Sequence, residues 1–270
     1  MDKTGLPDIL EVPLLSEMMP EGFAYGRNYL VEFDPHSLWY EASLTIAFHS
    51  LKHGIRTDYH TFTHIPSEIR DALTKLGLNV KKLEDDGTLR IVDSFTVTTL
   101  LRREDTAKST LVQTMEKSLS LKDWERDDAE LLKEAAPEGE KKRLHIDDDT
   151  STIVAYNDEK SFIDHWRTNA IPSARIFDWS MLHSTVTGSH SENFYRQFES
   201  LCDGIIDFKS REENEMIEQY ARIRTMRGKA QGSRWRHLRL LDSGEVTLDR
   251  TPPKAGSLGI TAWLRGPKKR

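Results

Sequence analysis

The sequence predicts an α/β fold: a mostly parallel sheet flanked by helices, with an antiparallel hairpin extension at its C-terminal edge. Three observations carry this. Residues 29–33 read as a short buried strand, followed by a tight turn and a helix over 38–53 that places Leu44, Ala47, Phe48 and Leu51 on one face. Strand and helix signals then alternate through about three-quarters of the chain, the spacing of βαβ units. From Gly204 onward the pattern changes to paired strands joined by short polar turns.

The elements follow in order. Gly54 ends the first helix, and 55–63 reads as a strand. Pro66 opens the next helix at its first turn, where its missing N–H costs nothing. Ile69, Leu73 and Leu76 line one face of that helix, and Gly77 stops it. Asn79 is expected to cap a short helix reaching Asp86, closed by Gly87, before a strand at 89–93. Residues 96–140 are the least patterned, with a helix expected at 122–134 and a turn at 137–140. Further on, strands are expected at 143–147 and 175–182 and helices at 161–169 and 192–200. Residues 205–209 and 217–226 read as a hairpin around a polar turn at 211–215, and 237–241 with 246–248 as a second pair around Asp242-Ser243-Gly244. Residues 1–250 read as one domain and 251–270 as a basic, loosely attached tail.

At 270 residues the chain is long enough to bury a sizeable core, and 37% hydrophobic with 30% charged residues fits a soluble globular protein. The net charge of -6 gives no global attraction to nucleic acid or to a membrane surface. Cys202 is the only cysteine, so no internal disulfide framework exists. The N-terminal residues lack a basic-then-apolar signal pattern, and no run approaches the roughly eighteen apolar residues that span a bilayer. A cytoplasmic protein without membrane contact is expected.

A strand, turn and helix near the start of an α/β chain is where a phosphate-binding loop normally sits. Such a loop needs two glycines, a lysine and a hydroxyl as G-x-x-x-x-G-K-[ST]. Laid over this turn, those positions fall on Phe33, Leu38, Trp39 and Tyr40. Losing the lysine and two or three aligned amides, at roughly 1.5–3 kcal/mol for each charge-assisted bond, removes ~5 kcal/mol of phosphate binding. An ordinary strand-to-helix turn is the favoured reading.

Asp147, Asp148 and Asp149 cluster at the end of the strand at 143–147. In a working nucleotide site Asp147 would hold magnesium through water, but without phosphates a cap of the next helix or turn by Asp148 or Asp149 is preferred. His60 and His64 sit four apart at a strand end next to Pro66, with no third ligand evident, and are not read as a metal site. Cys202 falls in a helix-to-strand connection and reads as packed rather than reactive. Arg222, Arg224, Arg227, Lys229, Arg234, Arg236 and Arg239 make a basic run around Trp235. It reads either as a surface for nucleic acid or an acidic protein partner, or as a solvated strand face.

The residues resemble a family, the RecA-like ATPases of the KaiC type common in archaea and bacteria. The segment 26–47 resembles the family's strand, phosphate loop and first helix, and 59–69 with Leu76-Gly77, Leu83, Gly87 and 89–93 its next βαβ unit. Arg143-Leu144-His145-Ile146-Asp147 resembles the Walker B strand. Cys202-Asp203-Gly204-Ile205-Ile206 and Ile223-Arg224-Thr225-Met226-Arg227-Gly228 resemble the late "aDGvI" and "KMRG" strands. The family's adjacent catalytic glutamates are here Thr63 and His64, and the "KMRG" lysine is Thr225. The resemblance implies a RecA-like sheet and nucleotide-switched rings or regulators among the relatives. Pro35, Ser37, Asp147 and Arg227 are the remnants of the nucleotide pocket that it implies.

A degenerate, catalytically inactive ATPase domain is therefore expected, acting in signalling or regulation through a protein partner or self-association, with no cofactor and no resident metal. The alternatives are a rearranged pocket that keeps ATP and magnesium, and a recombinase-like protein that contacts DNA through the basic run. A protein contact is preferred over nucleic acid because the chain as a whole is acidic.

Overall fold

The computed structural model describes residues 9–10, 12–20, 22–96, 115–116, 118–124, 142–213, 215–229 and 233–249. The first half comprises β1 (Ile9–Leu10), α1 (Pro13–Met18), β2 (Phe23–Ala24), β3 (Asn28–Phe33), α2 (Trp39–Lys52), β4 (Arg56–Thr61), α3 (Pro66–Lys75), α4 (Val80–Asp85), β5 (Leu89–Asp93) and β6 (Met115–Glu116). Then come β7 (Arg143–Asp147), α5 (Ser151–Asn157), α6 (Glu159–His165), a π-helical turn (Trp166–Ala170), α7 (Ile171–Phe177), β8 (Trp179–Val186) and α8 (Glu192–Leu201). The antiparallel end is β9 (Gly204–Glu213), β10 (Met216–Met226), β11 (Arg236–Leu240) and β12 (Val246–Leu248).

Ten strands form one sheet in the order β12-β11-β10-β9-β3-β8-β7-β4-β5-β6. From β9 to β6 every pairing is parallel, and β9 to β12 form an antiparallel edge, so the predicted fold class holds. The local signals explain the helices that match. Pro66 lies in the first turn of α3, and the Asn79 side chain accepts a hydrogen bond from the Lys82 amide at the start of α4.

Two expectations are corrected. Residues 175–182 do not form one strand: 171–177 continues a helical run that begins at Glu159, and β8 starts only at Trp179. Asp178, in the left-handed region at φ 54°, ends that run. The apolar Ile176 that invited a strand faces solvent instead, at 67% exposure. The polar turn placed at 211–215 is also shorter than expected, because Arg211, Glu212 and Glu213 pair with Glu218, Ile217 and Met216. Both faces of that hairpin end lie beyond the last rung shared with β3, so strand polarity gave no cue there. Of the helix expected at 122–134, a helical turn is seen at 121–124; the rest, the turn at 137–140 and the tail at 251–270 lie outside the described residues.

Because side chains alternate along a strand, the sheet has two faces, and here they differ in chemistry. One is apolar: Tyr29, Val31, Tyr59, Leu144, Ile146, Leu182, Ile206 and Phe208 pack against α1, α2, α3 and α4. The opposite face carries Leu30 under a layer built from Trp124, Ile153, Phe162, Trp166, Phe194 and Phe198, with Phe162 and Trp166 stacked at 3.9 Å. Beside Ile205, Met181 and Val92, that face also buries polar side chains: Asn28, Glu32, Asp58, His60, Arg143, Asp147, His183 and Asp207.

Buried charge is tolerated only where it is paired. Toward β10, Arg224 joins Glu32, Glu199 and Asp207, with Nη2 2.7 Å from Glu32 Oε2, and Arg222 also pairs with Asp207. Two guanidinium groups thus face three carboxylates. Burial pushes the Glu32 carboxyl up to about 7; its bonds to Arg224 oppose that shift and the nearby Glu199 adds to it.

A carboxyl that titrates higher in the folded chain than in the unfolded one stabilises below its unfolded value, near pH 4.5, and loses that contribution as pH rises through about 7. Thermal unfolding is therefore expected to move to lower temperature between pH 5 and pH 8. Glu32→Gln should flatten this dependence and recover about 1–3 kcal/mol at pH 8; parallel pH profiles for the two proteins would contradict the assignment.

Candidate functional site

In a parallel sheet the carboxyl ends of the strands, where loops meet helix N-termini, form the usual ligand-binding edge. Here that edge is built around the turn at 34–38 between β3 and α2. Its geometry follows from one carboxylate. Asp34 Oδ1 accepts from the His36 amide (3.1 Å) and the Ser210 hydroxyl (3.0 Å), and Oδ2 accepts from the Ser210 amide (2.6 Å). The turn's own backbone donors are engaged as well. Asp34 N–H donates to Phe208 O, Ser37 N–H and its hydroxyl to Asp34 O, and Leu38 N–H to the Gln219 side-chain oxygen, whose amide group donates back to His36 O. Pro35, exposed in the turn, has no N–H to offer.

Trp39, at the lysine position of the phosphate-loop pattern, is 1% exposed. Its ring lies 5.3 Å from Phe208 and 6.3 Å from Phe33, and its indole N–H donates to Asp148 O at 3.0 Å. Tyr40 stacks on His64 at 3.8 Å. His64 in turn lies 3.3 Å from Asp148 Oδ2, which also accepts from the Thr61 and Thr63 hydroxyls, while Asp148 Oδ1 takes the Phe62 amide. Thr63 and His64 thus brace the loop after β4. Asp149 makes the turn expected of the acidic run, accepting from the Ser151 amide at 2.8 Å; burial raises its carboxyl to about 6.

Asp147 lies elsewhere. By register it sits level with His183 and Leu30, three residues below the end of β3, and it is 2% exposed on the polar face. Three histidines surround its carboxylate: His183 Nδ1 is 2.7 Å from Oδ2, and His145 Nε2 and His60 Nδ1 are 3.1 and 3.4 Å from Oδ1. Asp58, one strand over, is bridged by Arg90 and Arg143. Burial opposes ionisation at both aspartates, yet the neighbouring histidines, and at Asp58 the two arginines, hold them well below the usual carboxylate range. Burial would lower His145, but the charge of Asp147 outweighs it and pushes the imidazole up to about 9.

Arg227 lies apart from the other pocket remnants. Pro35 and Ser37 lie at the carboxyl edge, Asp147 inside the polar face, and Arg227 at the opposite edge of the sheet, just past the Met226–Gly204 rung, where it donates to Ser200 O. The basic run divides likewise. Arg222 and Arg224 are taken up by carboxylates, and Arg222 and Lys209 both lie over the Trp235 ring, at 4.4 and 3.9 Å. Lys229 reaches Gly22 O, while Arg227, Arg234, Arg236 and Arg239 are exposed. Cys202 is buried, as expected, and burial raises its thiol well above the ordinary range.

His145, His183, Asp58 and Asn28 were not singled out from the sequence. A signal for part of the set exists: Asp58 and His60 flank Tyr59, and Arg143, His145 and Asp147 alternate with Leu144 and Ile146, which puts these polar residues on one face of each strand.

The strand order, the β3–turn–α2 unit at the carboxyl edge and the antiparallel extension define a RecA-like α/β domain. The sequence profile of the KaiC ATPase family matches residues 11–247, and the chain belongs to that family. A KaiC-like protein from the hyperthermophilic archaeon Pyrococcus horikoshii has the same fold, with a TM-score of 0.66 at 14% identity over 89% of this chain and 97% of that one. No curated protein matches the sequence. No helix among the described residues is long and apolar enough to cross a membrane.

Trp39→Ala is expected to cost about 3–5 kcal/mol in urea unfolding, because it opens a cavity and strips the Asp148 carbonyl of a donor. Asp34→Ala, at a partly solvated position, should cost about 1–2 kcal/mol. A Trp39→Ala loss below about 1 kcal/mol would mean that the indole is not packed in the turn.

Proposed function

We propose that this KaiC-family domain has given up ATP hydrolysis and acts in signalling or regulation through protein contacts. The observation that carries the reading is the state of the turn at 34–38: every N–H it has already donates to an acceptor within the protein, and a buried indole stands where a phosphate-gripping lysine would be. Phosphate loops work because successive amides are free to close around the anion and a lysine meets its charge. Recruiting these amides means breaking bonds already made, at about 0.5–1.5 kcal/mol or more for each, before any is gained. Asp147, enclosed by histidines on the polar face, is poorly placed to reach a magnesium ion at that edge.

The contact side of the proposal draws on the hairpin of β9 and β10, which runs five residues past Phe208, the last position paired with β3. Its end exposes Met216 and Ile217, at 61% and 66%. A second copy or a protein partner is a better match for such an end than a polyanion. Arg222 and Arg224, the first two residues of the basic run, give little to a nucleic-acid reading while they serve Asp207 and Glu32.

The test is steady-state turnover with MgATP, together with sedimentation in its presence and absence. The expected result is no turnover above a buffer control and a sedimentation coefficient unchanged by nucleotide. Turnover that Asp147→Asn removes, or assembly driven by MgATP, would overturn the proposal.

A further inference from the structure

We propose that His60, His145 and Asp147 bind one divalent transition-metal ion of the zinc class, within the polar face of the sheet. The inference is independent of the nucleotide question, since it needs no phosphate and uses nitrogen donors from β4 and β7.

The donor geometry comes first. One donor atom from each of the three residues lies within 4.8 Å of the other two. Two of the separations are 3.4 Å, from His60 Nδ1 to Asp147 Oδ1, and 3.1 Å, from His145 Nε2 to the same oxygen. An ion with tetrahedral ligands at about 2.0–2.1 Å holds neighbouring donors roughly 3.3–3.4 Å apart, so these two edges already have the required size. The third pair of donors lies within the same 4.8 Å.

The partners behind the donors point the same way. In metal sites the atom of each ligand turned away from the ion is held by a further group, which fixes tautomer and ring orientation. Here His60 Nε2 meets the Ser94 hydroxyl at 2.8 Å, and Asp147 Oδ2 meets His183 Nδ1 at 2.7 Å, with His183 Nε2 3.2 Å from Asn28 Oδ1. His145 Nδ1 faces Asp58 Oδ2 at 3.9 Å, and Arg90 and Arg143 hold that carboxylate in place. In the tautomer that donates Nε2–H to Ser94, His60 turns a lone pair toward Asp147 Oδ1. That orientation, with both groups almost fully buried, is the one a bound cation would use.

Two imidazoles and one carboxylate select the chemistry. Nitrogen donors suit zinc, iron(II) and their neighbours, whereas magnesium and calcium take all-oxygen shells. Three protein ligands leave a fourth position for water or a small ligand. Phe62 and Trp124 wall the site at 4.1 and 5.2 Å from the His60 ring, and His145 is partly exposed.

The experiment uses the full chain, treated with chelator and titrated without nucleotide with Co²⁺, Zn²⁺, anaerobic Fe²⁺ or Mg²⁺. The expected result is one Co²⁺ per chain with visible absorption typical of four-coordination, displaced by Zn²⁺ or Fe²⁺, and a rise in unfolding temperature with these ions but not with Mg²⁺. His60→Gln and His145→Gln should each weaken binding at least ~10-fold. Ser94→Ala, which leaves the donors intact and spares the fold if the ligand variants do not, should keep the stoichiometry and weaken binding about 10–100-fold. No Co²⁺ band and no thermal shift would overturn the proposal. So would a site unaffected by His145→Gln, or stabilisation by Mg²⁺ equal to that by Zn²⁺.

Discussion

A backbone N–H buried in a tight turn needs an acceptor, and whichever group supplies it decides what else that N–H can hold. In the turn after β3 the acceptors are protein atoms: the Asp34 carboxylate and carbonyl, the Phe208 carbonyl and the Gln219 amide oxygen. Two come from β9 and β10, so the antiparallel edge of the sheet fastens the loop that starts its parallel part. Trp39 completes the closure by filling the space behind the turn and tying it through its indole N–H to the loop after β7. The same fold with free amides would be an anion cradle; with these side chains it is a packed corner.

The second constraint is the polar face. A sheet sandwiched between helices is ordinarily apolar on both sides, and here one side obeys that rule while the other buries Asp207, Glu32, His183, Asp147, Arg143, Asp58 and His60 across the five adjacent strands from β9 to β4. Each charge is offset locally: Asp58 by Arg90 and Arg143, Asp147 by its histidines, Asp207 by Arg222 and Arg224. Replacing such networks by apolar residues is frequently neutral or stabilising in proteins, so their presence across five strands is hard to explain by stability alone. A bound ion at Asp147 supplies a reason for the central part.

Much of the fold was legible in the sequence because its signals are local. Pro66, Gly77, Asn79 and Gly87 punctuate α3 and α4 where they stand, and the apolar face of α2 shows plainly in Leu44, Ala47, Phe48 and Leu51. The segment at 175–177 was misread because Arg175-Ile176-Phe177 has strand-like composition, while its state is set by the helical run before it and the left-handed stop at Asp178. The absence of a phosphate-loop motif could be read directly, but what replaces it could not: Asp34 meets Ser210, and Leu38 meets Gln219, across more than 170 residues of chain. The histidine cluster was hidden for the same reason. His60, His145 and His183 come from three strands, and only the sheet order places them around one carboxylate.

The central claim is that the turn after β3 has exchanged an anion's contacts for internal ones. Isothermal titration of MgATP into the full chain tests it most directly. The account predicts heats equal to dilution at every injection. A saturable isotherm with a dissociation constant on the order of micromolar, some 8 kcal/mol of binding, would contradict it.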